Sequence, residues 1–213
     1  MKCALCFLAV IFSSICFAQK EFQPKGSTIN ETVDGDLDGD KIPEKVIVYN
    51  IPTGKDSGDI REIQILKKIN GKWIILEKSR NAIYRGDEGG MMGDPYQGTT
   101  IKNGILIIQD YGGSSWKWAN TDKYRFQNGH FELIGHVSES GRIFEFWKTI
   151  DFNLSTGEII YTKEVENTKD PENGKDESEN FVKKGVKINF QNRHTEKQRK
   201  IITLPKTKVD FYL

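Results

Sequence analysis

The chain has 213 residues, of which 37% are hydrophobic and 29% charged, and its 31 Lys and Arg nearly balance 30 Asp and Glu. A net charge of +1 leaves overall electrostatics with nothing to say about a partner. The only three cysteines, Cys3, Cys6 and Cys16, fall in the first sixteen residues, which excludes disulfides, thiolate-ligated zinc and a cysteine nucleophile from the rest.

Lys2 is followed by an almost wholly apolar stretch from Ala4 to Ile15, and then by Cys16-Phe17-Ala18 with small residues at both ends of the triplet. This predicts a signal peptide over residues 1–18, cleaved after Ala18, and an exported protein of the periplasm or extracellular space. The apolar stretch is shorter than the roughly 20 residues of a membrane span, and no later segment is longer, so no transmembrane segment is expected. The bulky Ile15 beside Cys16 argues against lipid anchoring there. Export also argues against a nucleic-acid partner. Residues 19–213 read as a single β domain.

The sharpest local pattern comes next. Asp36, Asp38 and Asp40 alternate, Glu44 follows, and the apolar run Val46-Ile47-Val48 comes directly after. Calcium takes six to eight oxygen ligands, and alternating acids on a curled loop supply them from one turn. Asp36, Asp38, Asp40 and Glu44, with the backbone carbonyl of Ile42, are the expected ligands of a structural calcium ion, with Leu37 and Ile42 turned into the core. The stretch resembles the calcium loops of FG-GAP and VCBS-type repeats and of dockerins. It departs from them at Lys41, where those loops usually have glycine. A non-glycine residue held at positive φ costs about 1 kcal/mol. The bland alternative is an acidic turn held by its own Asp-to-backbone hydrogen bonds.

β signals then dominate. Lys45 to Tyr49 is a short branched strand. Three Asn-Gly pairs, Asn70-Gly71, Asn103-Gly104 and Asn128-Gly129, each separate two strand-like runs and predict tight hairpins with positive φ. Ile143 to Phe152 reads as a strand that turns at Ser155-Thr156-Gly157 into Glu158 to Val165. Residues 166–180 are polar and read as a flexible loop. A last weak strand pair is expected at Lys187 to Phe190 and Arg199 to Leu204. Sustained helical periodicity is lacking, so the expected fold is all-β. It is an antiparallel sandwich or strongly curved sheet, with a small propeller-like arrangement as the alternative.

Between Tyr84 and Trp118, glycines alternate with charged and aromatic residues. Trp116 and Trp118 point the same way if they lie on a strand. With Tyr96 or Tyr111, and beside Arg85, Asp87 and Asp94, they offer a platform for a glycan or peptide ligand. The competing reading makes both tryptophans core residues. The glycine-tryptophan run from Tyr111 to Trp118, with Tyr124, Phe126, Asn128-Gly129 and Phe131 to Gly135 after it, is similar to a pattern in uncharacterised exported bacterial proteins. That resemblance implies one domain and carries no mechanism.

Enzymatic readings rest on paired carboxylates, either Asp87 or Glu88 with Asp94, or Asp110 with Asp122. His130 and His136 stand too far apart along a strand to share a metal, and His194 is expected at the surface. Ser114 and Ser115 lack a nucleophile-elbow context. The expectation is therefore a non-catalytic binding or scaffold protein of the cell envelope, against a secreted hydrolase acting on glycan or peptide.

Overall fold

The computed structural model describes residues 21–54, 58–167, 169, 171–195 and 199–213, and the expected signal peptide lies outside them. The fold is all-β. Strands β1 (Thr28–Gly35), β2 (Glu44–Ile51), β3 (Ile60–Ile69) and β4 (Lys72–Ser79) form a four-stranded sheet in sequential order. Strands β5 (Tyr96–Lys102), β6 (Ile105–Gly113), β7 (Trp116–Gln127), β8 (His130–Arg142), β9 (Phe146–Asn153), β10 (Glu158–Val165) and β11 (Glu177–Val182) form a seven-stranded sheet, again in sequential order. A short pair, β12 (Ile201–Thr203) and β13 (Asp210–Tyr212), completes the described strands. All pairings are antiparallel. Two unequal meanders replace the ring of similar blades that a propeller requires.

The three Asn-Gly turns form as the sequence predicts. Asn70, Asn103 and Asn128 have φ of 50°, 53° and 54°, and the following glycines 80°, 73° and 80°. Mirror-image turns of this kind match the twist of the strands they join.

One apolar cluster joins the two sheets. Val46, Val48, Ile63 and Ile65 come from the first sheet, and Leu106, Ile108, Tyr124, Phe131, Phe152 and Ile159 from the second. The C-terminal segment closes it with Phe190, Leu204, Phe211 and Leu213. Phe131 and Phe190 stack at 5.2 Å between ring centroids. The sheets also meet through a polar seam. Arg61, only 2% exposed, forms a two-pronged ion pair with Asp94, donates through Nε to the Asn50 Oδ1 at 3.0 Å, and lies 5.1 Å from the centre of the Tyr96 ring. Tyr96 donates to Glu31 at 2.5 Å, and the same carboxylate accepts from the backbone of Thr99 at 2.9 Å.

Several expectations about the elements need correction. The strand expected from Ile143 begins at Phe146, because Ile143 and Phe144 lie in the turn between β8 and β9. Phe144 takes φ 67° there, and Glu145 donates its backbone N–H to Arg142 at 3.0 Å. The polar stretch 166–180 runs into β11, which starts at Glu177. Lys187 to Phe190 forms only an isolated bridge, Asn189 to Glu132, and β12 pairs with β13 instead.

Candidate functional site

The acidic loop turns as its sequence dictates. Asp36 accepts from the backbone N–H of Gly39 at 2.7 Å and of Lys41 at 3.0 Å, and Asp40 accepts from Ile42 at 2.7 Å. Oxygens of Asp36, Asp38 and Asp40 converge to within 4.8 Å of one another. Lys41 adopts φ 68°, in the left-handed region that favours glycine. Leu37 is buried in the core as expected, but Ile42 is 48% exposed, so its side chain anchors nothing.

Two charges complete this loop. The Lys67 ammonium reaches across from β3, bonding Asp38 and Asp40, the latter at 2.7 Å. These bonds raise the Lys67 pKa above its ordinary value. Glu44 is fully buried, and one of its oxygens accepts from Leu37 N–H at 2.8 Å. Its second oxygen is enclosed without a hydrogen-bond partner. Burial, with Asp38 and Asp40 nearby, raises the Glu44 pKa. The three converging aspartates are a hard-oxygen set of the kind that can hold a metal ion, and Glu44 lies outside that group.

A second locus lies on the inner face of the seven-stranded sheet. The register sets Trp118 opposite Ser140, Asn120 opposite Ser138, Lys148 opposite Ser140 and Tyr161 opposite Ile150. Gly112 lies opposite Trp118 on β6. A Cβ there would come within 2.6 Å of the indole, so glycine lets the Trp118 ring lie close against the strand. The result is a cleft of about 480 Å³ whose walls include Tyr84, Trp116, Trp118, Lys148, Arg199 and Tyr212. Tyr84 meets Trp118 at 5.4 Å, Trp116 meets Phe146 edge-on at 5.4 Å, and the Arg199 guanidinium lies 4.3 Å from the Tyr212 ring centre. A comparable depression of about 450 Å³ on the opposite face is lined by residues such as Lys123, Arg125 and Asp151, and has one aromatic, Phe152.

A closed polar cluster borders the cleft. Asp122 is 2% exposed, and its carboxylate meets Arg193 Nε at 2.5 Å, His136 Nδ1 at 2.6 Å and the Tyr124 hydroxyl at 3.2 Å. Burial opposes its ionisation, yet Arg193 and His136 hold its pKa well below the carboxylate range. Burial lowers the His136 pKa, against the pull of Asp122, and Nδ1 faces a carboxylate that can only accept, so the ring nitrogen donates. Asp110 lies one diagonal step away on β6, 3% exposed, with one oxygen lacking any partner. Burial, then the nearby Asp122 charge, pushes its carboxyl up to about 8. Burial likewise pushes Tyr84 up to about 12. His194 packs on Tyr84 at 3.9 Å, with its Nε2 enclosed and its pKa depressed by burial and by Arg193.

The structure brings together only part of the expected platform. Trp116 and Trp118 share the cleft. Asp94 and Tyr96 serve the seam between the sheets. Arg85 pairs with Asp87 at 3.4 Å and bonds Gly58 O at 3.2 Å in a neighbouring loop. Tyr111 bonds Pro95 O through its backbone N–H at 2.8 Å. His194 is not a surface residue, because its neighbour Arg193 is drawn inward by Asp122. A bulge opposite Lys123 and Tyr124 shifts β8 by one residue, so His130 is exposed while His136 is buried. Sequence reading missed Tyr84, Lys148, Arg199 and Tyr212, which reach the cleft from segments with no local pattern in common. No family model, curated protein or solved structure matches the chain. Among the described residues no helix is long and apolar enough to cross a membrane.

Proposed function

We propose that this is an exported, non-catalytic binding protein of the cell envelope, which holds an oligosaccharide in the cleft of the seven-stranded sheet and carries one structural calcium ion in its acidic loop. The observation that carries the binding reading is the pairing of Trp116 and Trp118 above rows of small polar side chains, Ser138, Ser140 and Asn120, in one open cleft. Aromatic faces supply contact area to sugar rings, and hydroxyl and amide groups orient them. A peptide normally binds a sheet by adding a strand at an edge. This cleft lies instead over the central strands β7 to β9, where no edge is exposed. The hydrolase reading draws on Asp110, whose buried acid is unpartnered. Its neighbour Asp122 is fully engaged by Arg193, His136 and Tyr124, which leaves the pair without a free carboxylate to act as base or nucleophile.

Titration with a panel of oligosaccharides, followed by tryptophan fluorescence, tests this. Binding is expected to quench the indoles, and Trp118→Ala is expected to weaken it about tenfold, since a lost aromatic contact is worth about 1 kcal/mol beyond its buried area. A panel without a binder, or unimpaired binding by the variant, overturns the reading.

The calcium reading rests on the converging oxygens of Asp36, Asp38 and Asp40 and has its own test. Calcium is expected to raise the thermal midpoint and a chelator to reverse this. Asp38→Asn removes a ligand and should abolish the response. Lys67→Met removes a cation that competes for Asp38 and Asp40, so it should lower stability without calcium and tighten calcium binding. Identical melts with calcium and with chelator rule the site out.

A further inference from the structure

We infer that the cleft takes an acidic saccharide, one whose ring carries a carboxylate, and that Lys148 reads this charge. The inference rests on the saccharide reading of the cleft given above.

Lys148 is half-buried in the cleft wall, with its ammonium 5.9 Å from the centre of the Trp116 ring and 5.5 Å from that of Phe146. Among the described residues no carboxylate forms an ion pair with it. Directly opposite, on β10, stands Lys163. Like charges facing each other across a strand pair are destabilising. Lys163 takes Glu177 as its ion-pair partner at 3.6 Å, and Lys148 feels that carboxylate only at longer range. Burial, then Lys163, depresses the Lys148 pKa, with Glu177 pulling the other way.

The acids of the cleft are committed elsewhere. Glu88 accepts from the backbone of Arg85 at 2.6 Å, and Asp210 from the Thr203 hydroxyl at 2.5 Å. Arg199 lies over the Tyr212 ring, and the N–H groups at the edge of its guanidinium can donate to a second oxyanion or to a ring hydroxyl oxygen. Ser138 and Ser140, next to Lys148 on the register, keep their hydroxyls clear of any protein hydrogen bond among the described residues. A sugar ring placed on the Trp116 and Trp118 faces can reach these hydroxyls through its own, while its carboxylate lies on the Lys148 ammonium. Such a charge-assisted bond, made where water is partly excluded, is stronger than a neutral one.

The test compares tetragalacturonate, its methyl ester and tetraglutamate by calorimetry on the exported protein, the Lys148→Gln variant and the charge-preserving Lys148→Arg variant. The wild type is expected to bind the acid saccharide at least tenfold more tightly than the ester. Lys148→Gln should reduce binding to the ester level while its thermal midpoint holds or rises, because a like-charge contact with Lys163 is gone. Lys148→Arg should keep the preference. Equal binding of acid and ester overturns the charge inference and leaves the saccharide reading standing. Binding of tetraglutamate in preference to either sugar overturns the saccharide class. Failure of all three ligands to bind, with the neutral panel also silent, removes both readings together.

Discussion

Asp122→Ala is expected to cost about 3–5 kcal/mol at neutral pH, the penalty for breaking a buried ion pair from one side. For a chain of this size that lowers the thermal midpoint by on the order of 10 °C. The residue sits where three separate segments converge. Arg193 comes from the C-terminal segment, His136 from β8 and Tyr124 from β7 itself. Without the carboxylate, the guanidinium stays buried with no counter-charge and the His136 N–H loses its acceptor. The dependence on pH has a definite sign. The folded pKa of Asp122 is depressed, so its stabilisation is fully present above the unfolded carboxylate value near 3.9 and is lost as pH falls through the folded value. The gap between wild type and variant should therefore be widest at neutral pH and narrow below about pH 4. Urea melts at several pH values measure both. A double-mutant cycle with Arg193→Met should give a coupling energy of about 1–3 kcal/mol. Simple addition of the two losses would show that the pair is not a unit.

The parts of this molecule that the sequence discloses are those set by neighbouring residues. Each Asn-Gly pair demands positive φ at adjacent positions, so three hairpins could be placed without knowing what they pack against. The aspartate loop is legible for the same reason, since its hydrogen bonds run only two to five residues along the chain. Strand extents were less legible. β7 and β8 continue past the apolar alternation because Asn120, Asp122, His136 and Ser138 occupy inward positions, and a buried polar cluster reads locally like a loop. β11 is invisible to pattern because only its partner β10 explains it. The cleft is least legible of all. Tyr84, Trp116, Lys148, Arg199 and Tyr212 lie far apart in sequence, and only the meander and the returning C-terminal segment bring them to one wall. His194 shows the same limit from the other side. Its polar surroundings suggest solvent, while Arg193, bound to an aspartate 71 positions away, pulls it inside.

Asp110→Asn is expected to have the opposite effect, raising stability as pH increases. The wild-type carboxyl is held neutral by burial, then by the Asp122 charge, against opposing pulls from Arg193 and Arg61 and a further push from Asp94. Its folded pKa of about 8 stands above the unfolded value near 3.9. Between these values the folded state holds a proton that the unfolded chain releases, so wild-type stability falls as pH rises from about 4 to about 8, by roughly 5 kcal/mol over the whole interval. Asparagine has nearly the same shape and no proton to lose. At pH 4 the two proteins should be close in stability, since a neutral acid and an amide are similarly short of partners at this enclosed site. At pH 8 the variant should be the more stable by a few kcal/mol. Chemical denaturation from pH 4 to pH 9 reads the difference directly, and carboxyl chemical shifts of Asp110 locate its titration. A difference that stays flat across that range, or a carboxyl that titrates near pH 4, means that Asp110 is ionised in the folded protein and that its enclosure does not hold the proton.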